Sequence, residues 1–198
     1  MEIDTVEYKN YKIKIHSDEN PESPREWDNL GTMICLLSTY DLGDEKTDYF
    51  QKDVNIFEDW RKVNEDRLVI LPLYLYDHSG ITMSTTRFSC PWDSGQVGWI
   101  YAFTKDIVEE FGKKRMSEAL KKKAENILQR EVEAYDDFLT GNVYGYVIET
   151  DEEEHLDSCW GFYGDPEKSG LLEYAKSFID EYVKQIDFLE ETIYPVLY

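Results

Sequence analysis

Residues 116–139 carry Leu120, Ala124, Leu128, Val132, Tyr135 and Leu139 at near-four spacing, one apolar stripe on the longest helix the chain can form. Gly141 follows where a C-terminal cap belongs. Such a stripe needs an apolar face to lie on, and the first half of the chain supplies strands. Residues 67–76 are nearly continuous in β-branched and aromatic side chains, 96–103 form a second run, and 32–38 a third between Gly31 and the turn Asp41-Leu-Gly-Asp. Residues 6–15 read as a short hairpin turning near Asn10, and the acidic, proline-containing 17–26 as a loop. Val54, Phe57, Trp60 and Val63, at spacing three, predict a short helix over 53–64, and Thr104 reads as the cap of another.

Beyond Gly141, residues 142–149 and 158–163 predict two strands joined by an acidic turn. A last helix over 167–190 would bury Leu171, Ala175, Phe178, Tyr182, Ile186 and Leu189. The expected fold class is α+β. One domain spans 1–198, mainly antiparallel sheet with two or three packed helices. It is strand-rich over 1–103 and helical over 104–140, with a hairpin plus C-terminal helix over 142–198.

Charge bounds the function. There are 42 Asp and Glu against 21 Lys and Arg, a formal net charge of −21, where a magnitude of roughly 2–8 keeps a small domain soluble. From Glu131 onward 18 acids face only Lys168, Lys176 and Lys184, whereas 113–130 hold seven bases against Glu118 and Glu125. A field of this sign repels nucleic acid and membrane surfaces and draws in cationic ones. The basic segment is expected to pair with Glu109, Glu110, Glu118 and Glu125 at helical spacing. A homodimer, one subunit's basic helix meeting the other's acidic surface, is the alternative. Aromatic residues, 15% of the chain, argue against disorder. Cys35, Cys90 and Cys159 form no close pair, and neither a secretory leader nor a membrane-length apolar run is present, so a cytoplasmic location is expected.

Chemistry has one dense candidate. Between two strong strands lie Asp77, His78, Ser79, Cys90, Asp93 and Ser94. His78 as base and Cys90 as thiol nucleophile, with Asp77 or Asp93 orienting the imidazole, would make an enzyme acting on a small molecule or protein. The plainer reading is turn chemistry at strand ends. Cys159 sits in a Ser-Cys-Trp-Gly-Phe segment that looks like the surroundings of a papain-type nucleophile, but no His follows it and the match reads as coincidence. His78, Cys90, His155 and Cys159 lack the close pairs of structural zinc sites. No catalytic residue, cofactor or metal is therefore assigned.

The acidic surface is the favoured site. Glu173, Asp180, Glu181, Asp187 and Glu190 recur on the last helix, and Glu131, Glu133, Asp136, Asp137, Asp151, Glu152, Glu153 and Glu154 extend them. Imitating a duplex requires carboxylates at close intervals, since DNA carries one charge per ~1.7 Å of axis.

Four segments, PRE-x-DNLGTM (24–33), ILPLYLYDHSGITMSTTRFSCPWDSGQVGWIY (70–101), YDDFLTGNVYGYVIE (135–149) and DSCWGFYG (157–164), resemble an uncharacterised family of small acidic proteins of bacteriophages and mobile genetic elements. The resemblance carries no catalytic residues. It implies counter-defence: a DNA mimic of the anti-restriction or anti-CRISPR type, active in the host bacterial cytoplasm. Its partner would be a basic host nuclease or nucleoprotein, with no direct contact to nucleic acid. The alternative within that context is an accessory protein whose partner does not bind nucleic acid.

Overall fold

A computed structural model describes residues 1–44, 50 and 53–193, with side chains as far as Leu189. Along the chain run β1 (Glu2–Tyr8), β2 (Tyr11–Ser17), β3 (Thr32–Cys35), α1 (Val54–Asn64), β4 (Leu68–Asp77), β5 (Ile81–Ser84), β6 (Ser94–Phe103), α2 (Thr104–Glu110), α3 (Glu118–Thr140), β7 (Val143–Thr150), β8 (His155–Tyr163) and α4 (Leu171–Ile193). The fold is α+β, and every strand pairing within its two four-stranded sheets is antiparallel. Within it the chain divides into two compact units, Met1–Glu22 with Gly141–Tyr198, and Ser23–Thr140. The first hairpin thus belongs with the last one rather than with the strands that follow it in sequence. Among the described residues no helix is long and apolar enough to cross a membrane.

In the first unit the strand order is β1-β2-β7-β8. Lys9 and Asn10, at φ 50 and 65, form the two-residue turn that the twist of a tight hairpin favours. Alternation along β2 and β7 turns Ile13, Ile15, Tyr146 and Ile148 to one face, where Leu171, Ala175 and Ile179 of α4 cover them. The Tyr146 hydroxyl donates to Asp157 at 2.8 Å. On the opposite face the Trp160 ring lies over Gly145, where a Cβ would collide with it. The buried stripe of α4 therefore runs through Ile179, outside the expected stripe, and Leu189 is 53% exposed rather than buried. Leu189, about 27 Å along α4 from Leu171, lies past Val183, the furthest described α4 residue that packs in this cluster.

In the second unit the order is β3-β6-β4-β5, with helices on both faces of the sheet. Leu120, Ala124, Leu128, Val132 and Tyr135 of α3 pack in one cluster with Met33, Leu73, Met83 and Ile100. Across the sheet, Phe57 of α1 stacks on Trp99 with ring centroids 4.6 Å apart, and Trp60 lies 5.0 Å from Tyr101. β5 lies in the polar stretch between the two strong strands, and Asp77-His78-Ser79-Gly80 is the turn that leads into it. Thr104 is the first residue of α2 and not its cap; Phe103 holds the capping position with no side-chain bond.

One ion cluster ties this unit together. The Arg25 guanidinium, 5% exposed, holds both Asp44 oxygens at 2.8 and 3.0 Å, Glu131 at 3.3 Å and the Gly31 carbonyl at 2.7 Å. Glu131 in turn accepts from the Leu30 N–H at 2.8 Å and the Gly31 N–H at 3.2 Å, and Asp44 from the Met33 N–H at 2.9 Å. A Cβ at Gly31 would lie 2.5 Å from the end of Leu128 and 2.8 Å from the Glu131 carboxylate, so any larger residue there would displace both side chains. Removing one partner of a buried pair strands the other charges, at about 3–5 kcal/mol. Arg25→Ala is therefore expected to lower unfolding stability by that amount, read from the urea midpoint. Arg61→Ala, which breaks the more exposed bridge to Glu58, should stay within about 1 kcal/mol. Equal small effects would refute the clamp.

Candidate interaction surface

The carboxylates singled out in sequence divide between interior work and open surface. Glu131 belongs to the Arg25 cluster with its side chain 11% exposed, so its place in a partner-binding track is corrected. Burial pushes its carboxyl pKa up, and Arg25 and the Leu30 and Gly31 N–H groups pull against that. Asp136 is also engaged within the fold: it accepts from the Thr82 hydroxyl at 2.7 Å and the Met83 N–H at 2.6 Å, pinning β5 to α3. Glu133 is exposed and accepts from Gln129 at 2.8 Å; with Asp136 and Asp137 it lines a groove beside β5. These residues lie in the second unit, whereas 151–190 lie in the first.

The first unit concentrates the charge. It holds 20 acidic against six basic residues, and the second 22 against 15. Asp151, Glu152, Glu153 and Glu154 are all exposed on the β7–β8 turn. Thr150 closes that turn: its N–H donates to the Glu154 carbonyl at 2.9 Å, and its hydroxyl accepts from the Glu154 N–H at 3.1 Å. Glu153 sits at φ 64, a conformation suited to glycine and unfavourable for other residues by roughly 1–2 kcal/mol. Asp151 and Glu152 share one groove with Asp187 of α4 and with Lys9, Val183 and Ile186.

α4 is a thinner anion than its sequence suggests. Glu173, Glu181 and Asp187 are exposed, but Lys176 and Lys184 interrupt them. Four acids between positions 173 and 187, along about 21 Å of helix, fall well short of one charge per ~1.7 Å. Asp180 is drawn into the fold's own bonds, with the Lys9 ammonium at 2.7 Å and the Tyr8 hydroxyl donating at 3.0 Å. Those two groups hold its carboxyl below the usual range, Lys9 first. Nothing in the sequence flags contacts between residues about 170 positions apart. The Glu190 side chain lies outside the described residues.

The polar stretch after β4 converges on Asp93. His78 Nδ1 is 3.4 Å from Asp93 Oδ2, and the Cys90 thiol donates to that same oxygen at 3.7 Å. The thiol's hydrogen-bond partner is thus the Asp93 carboxylate rather than the His78 imidazole. Asp77 instead accepts from Tyr40 at 2.7 Å. Trp92 stands beside the cluster, 91% exposed. Among the described residues no group of three His, Cys, Asp or Glu side chains is placed to hold a metal ion.

Set against family models, curated proteins and solved structures, the chain matches none.

The depressed Asp180 pKa has a pH signature. Its contribution to stability is present above the unfolded carboxylate value of about 3.9 and is lost as pH falls through the lower folded value. Asp180→Asn should therefore reduce stability at neutral pH and approach wild type in strong acid, read from urea midpoints across pH. A difference that stays constant with pH would contradict the assignment.

Proposed function

We propose that this protein is a non-enzymatic acidic inhibitor that occupies the cationic groove of a nucleic-acid-binding protein. The closed turn of Asp151, Glu152, Glu153 and Glu154 is the part that enters. The observation that carries the proposal is that turn: four consecutive exposed carboxylates on a hydrogen-bonded hairpin, one of them in a backbone conformation that favours glycine. Asp187 adds a fifth across the shared groove, and the first unit's acidic excess supplies the long-range field. The resemblance to phage and mobile-element proteins supports a host restriction or CRISPR nuclease as target and the bacterial cytoplasm as the place of action. Carboxylates would take the Lys and Arg contacts that phosphates otherwise occupy, so binding depends on charge more than on shape.

The test is capture of nucleic-acid-binding proteins from a bacterial lysate at ~0.15 M and ~1 M salt, where screening lengths are about 8 and 3 Å. Wild type should retain such a protein at the lower salt and release it at the higher. D151N/E152Q/E153Q/E154Q should weaken binding at least about tenfold, or 1.4 kcal/mol, with Cys90→Ser unchanged. Glu153→Gly separates function from folding: binding should weaken while stability holds or rises by up to about 1 kcal/mol. Capture that survives high salt and ignores the turn variants would sink the proposal.

A further inference from the structure

Among the described residues the bases of 113–130 meet no counter-charge. All seven are exposed, and among the described residues none is within ion-pair distance of a carboxylate. The expected pairing with Glu109, Glu110, Glu118 and Glu125 does not form. What the segment does show is the Lys123 ammonium 4.0 Å from the centre of the Phe111 ring. Lys9, Lys14, Arg25 and Arg61 by contrast each hold a carboxylate. Lys121 moreover lies in the first turn of α3, where the positive end of the helix dipole disfavours it. A cluster that burdens the start of its own helix and finds no carboxylate partner among the described residues fits a counter-charge arriving from outside.

We infer that this basic segment docks a second copy of the chain, residues 113–130 of one copy meeting the acidic 151–154 turn of the other. The complementarity is present in a single chain: five net positive charges over 18 residues in the second unit, and 14 net negative charges in the first. At physiological ionic strength fields reach only about 8 Å, so charges facing across the contact outweigh the net repulsion between two acidic molecules. A nucleic acid fits less well. Its phosphates continue past the basic segment and meet a chain that is otherwise strongly acidic, whereas the acidic turn of a second copy is bounded. Contact between unlike patches builds a symmetric dimer when it closes and a longer assembly when it does not. The inference stands whatever else the acidic turn binds.

Sedimentation of the full chain over a range of concentrations tests it. At ~0.15 M salt the mass of wild type should rise with concentration, and at ~1 M it should remain monomeric. K121E/K122E/K123E and D151K/E152K/E154K should each be monomeric alone and form a one-to-one complex when mixed, because each keeps the patch the other has lost. The lysine variant relieves the helix dipole, so loss of folding will not imitate the result; its urea midpoint should hold or rise. Three outcomes overturn the inference: wild type monomeric throughout, variants that assemble as wild type does, or a monomer that binds duplex DNA only while its lysines are intact.

Discussion

Arg25 is the point at which separate parts of the second unit meet. Its guanidinium joins the turn before β3, the Asp44 loop and the middle of α3, and the two carboxylates it holds also take up the N–H groups of Leu30, Gly31 and Met33. A buried cation between two anions is tolerable only when the remaining lone pairs are satisfied, and here backbone donors do that. The close approach of Gly31 to Leu128 lets the chain pass near enough to α3 for Glu131 to reach it. β3 therefore enters the sheet from a fixed start.

This cluster also accounts for the residue types of segment 24–33. In PRE-x-DNLGTM, Pro24 is buried, Arg25 is the clamp, and the Asn29 amide donates to the Pro24 carbonyl at 2.8 Å and the Trp27 carbonyl at 3.0 Å. Gly31 permits the close approach and Met33 is core. In DSCWGFYG, Asp157 accepts from Tyr146 and Trp160 covers Gly145. Pro24, Arg25, Asn29, Gly31, Met33, Asp157 and Trp160 thus each make a contact within the fold. The acidic turn lies between segments 135–149 and 157–164, in a stretch whose composition the fold does not dictate.

Much of the architecture was legible in the pattern of apolar residues. The α3 stripe is buried as its spacing requires, β4 and β6 lie within a residue or two of the expected runs, and the turn at Asn10 sits where expected. β5 was not legible, because four residues inside a Ser- and Thr-rich stretch show too little alternation. Its pairing with β4 and the bonds from Asp136 hold it in place. Leu189 was misjudged for a different reason: helical periodicity continues past Val183, the furthest described α4 residue packed in its cluster.

The sequence by itself determined the charge imbalance, the α+β class, and the inward side of α3, because those follow from composition and from the periods of 3.6 and 2. Only the tertiary structure decided which carboxylates are surface and which are mortar. Glu131 and Glu133 differ little in sequence context, yet one meets an arginine 106 positions away and the other faces water. A period states which way a side chain points; what stands opposite it is set by the packing of distant segments, and that carries no local signature.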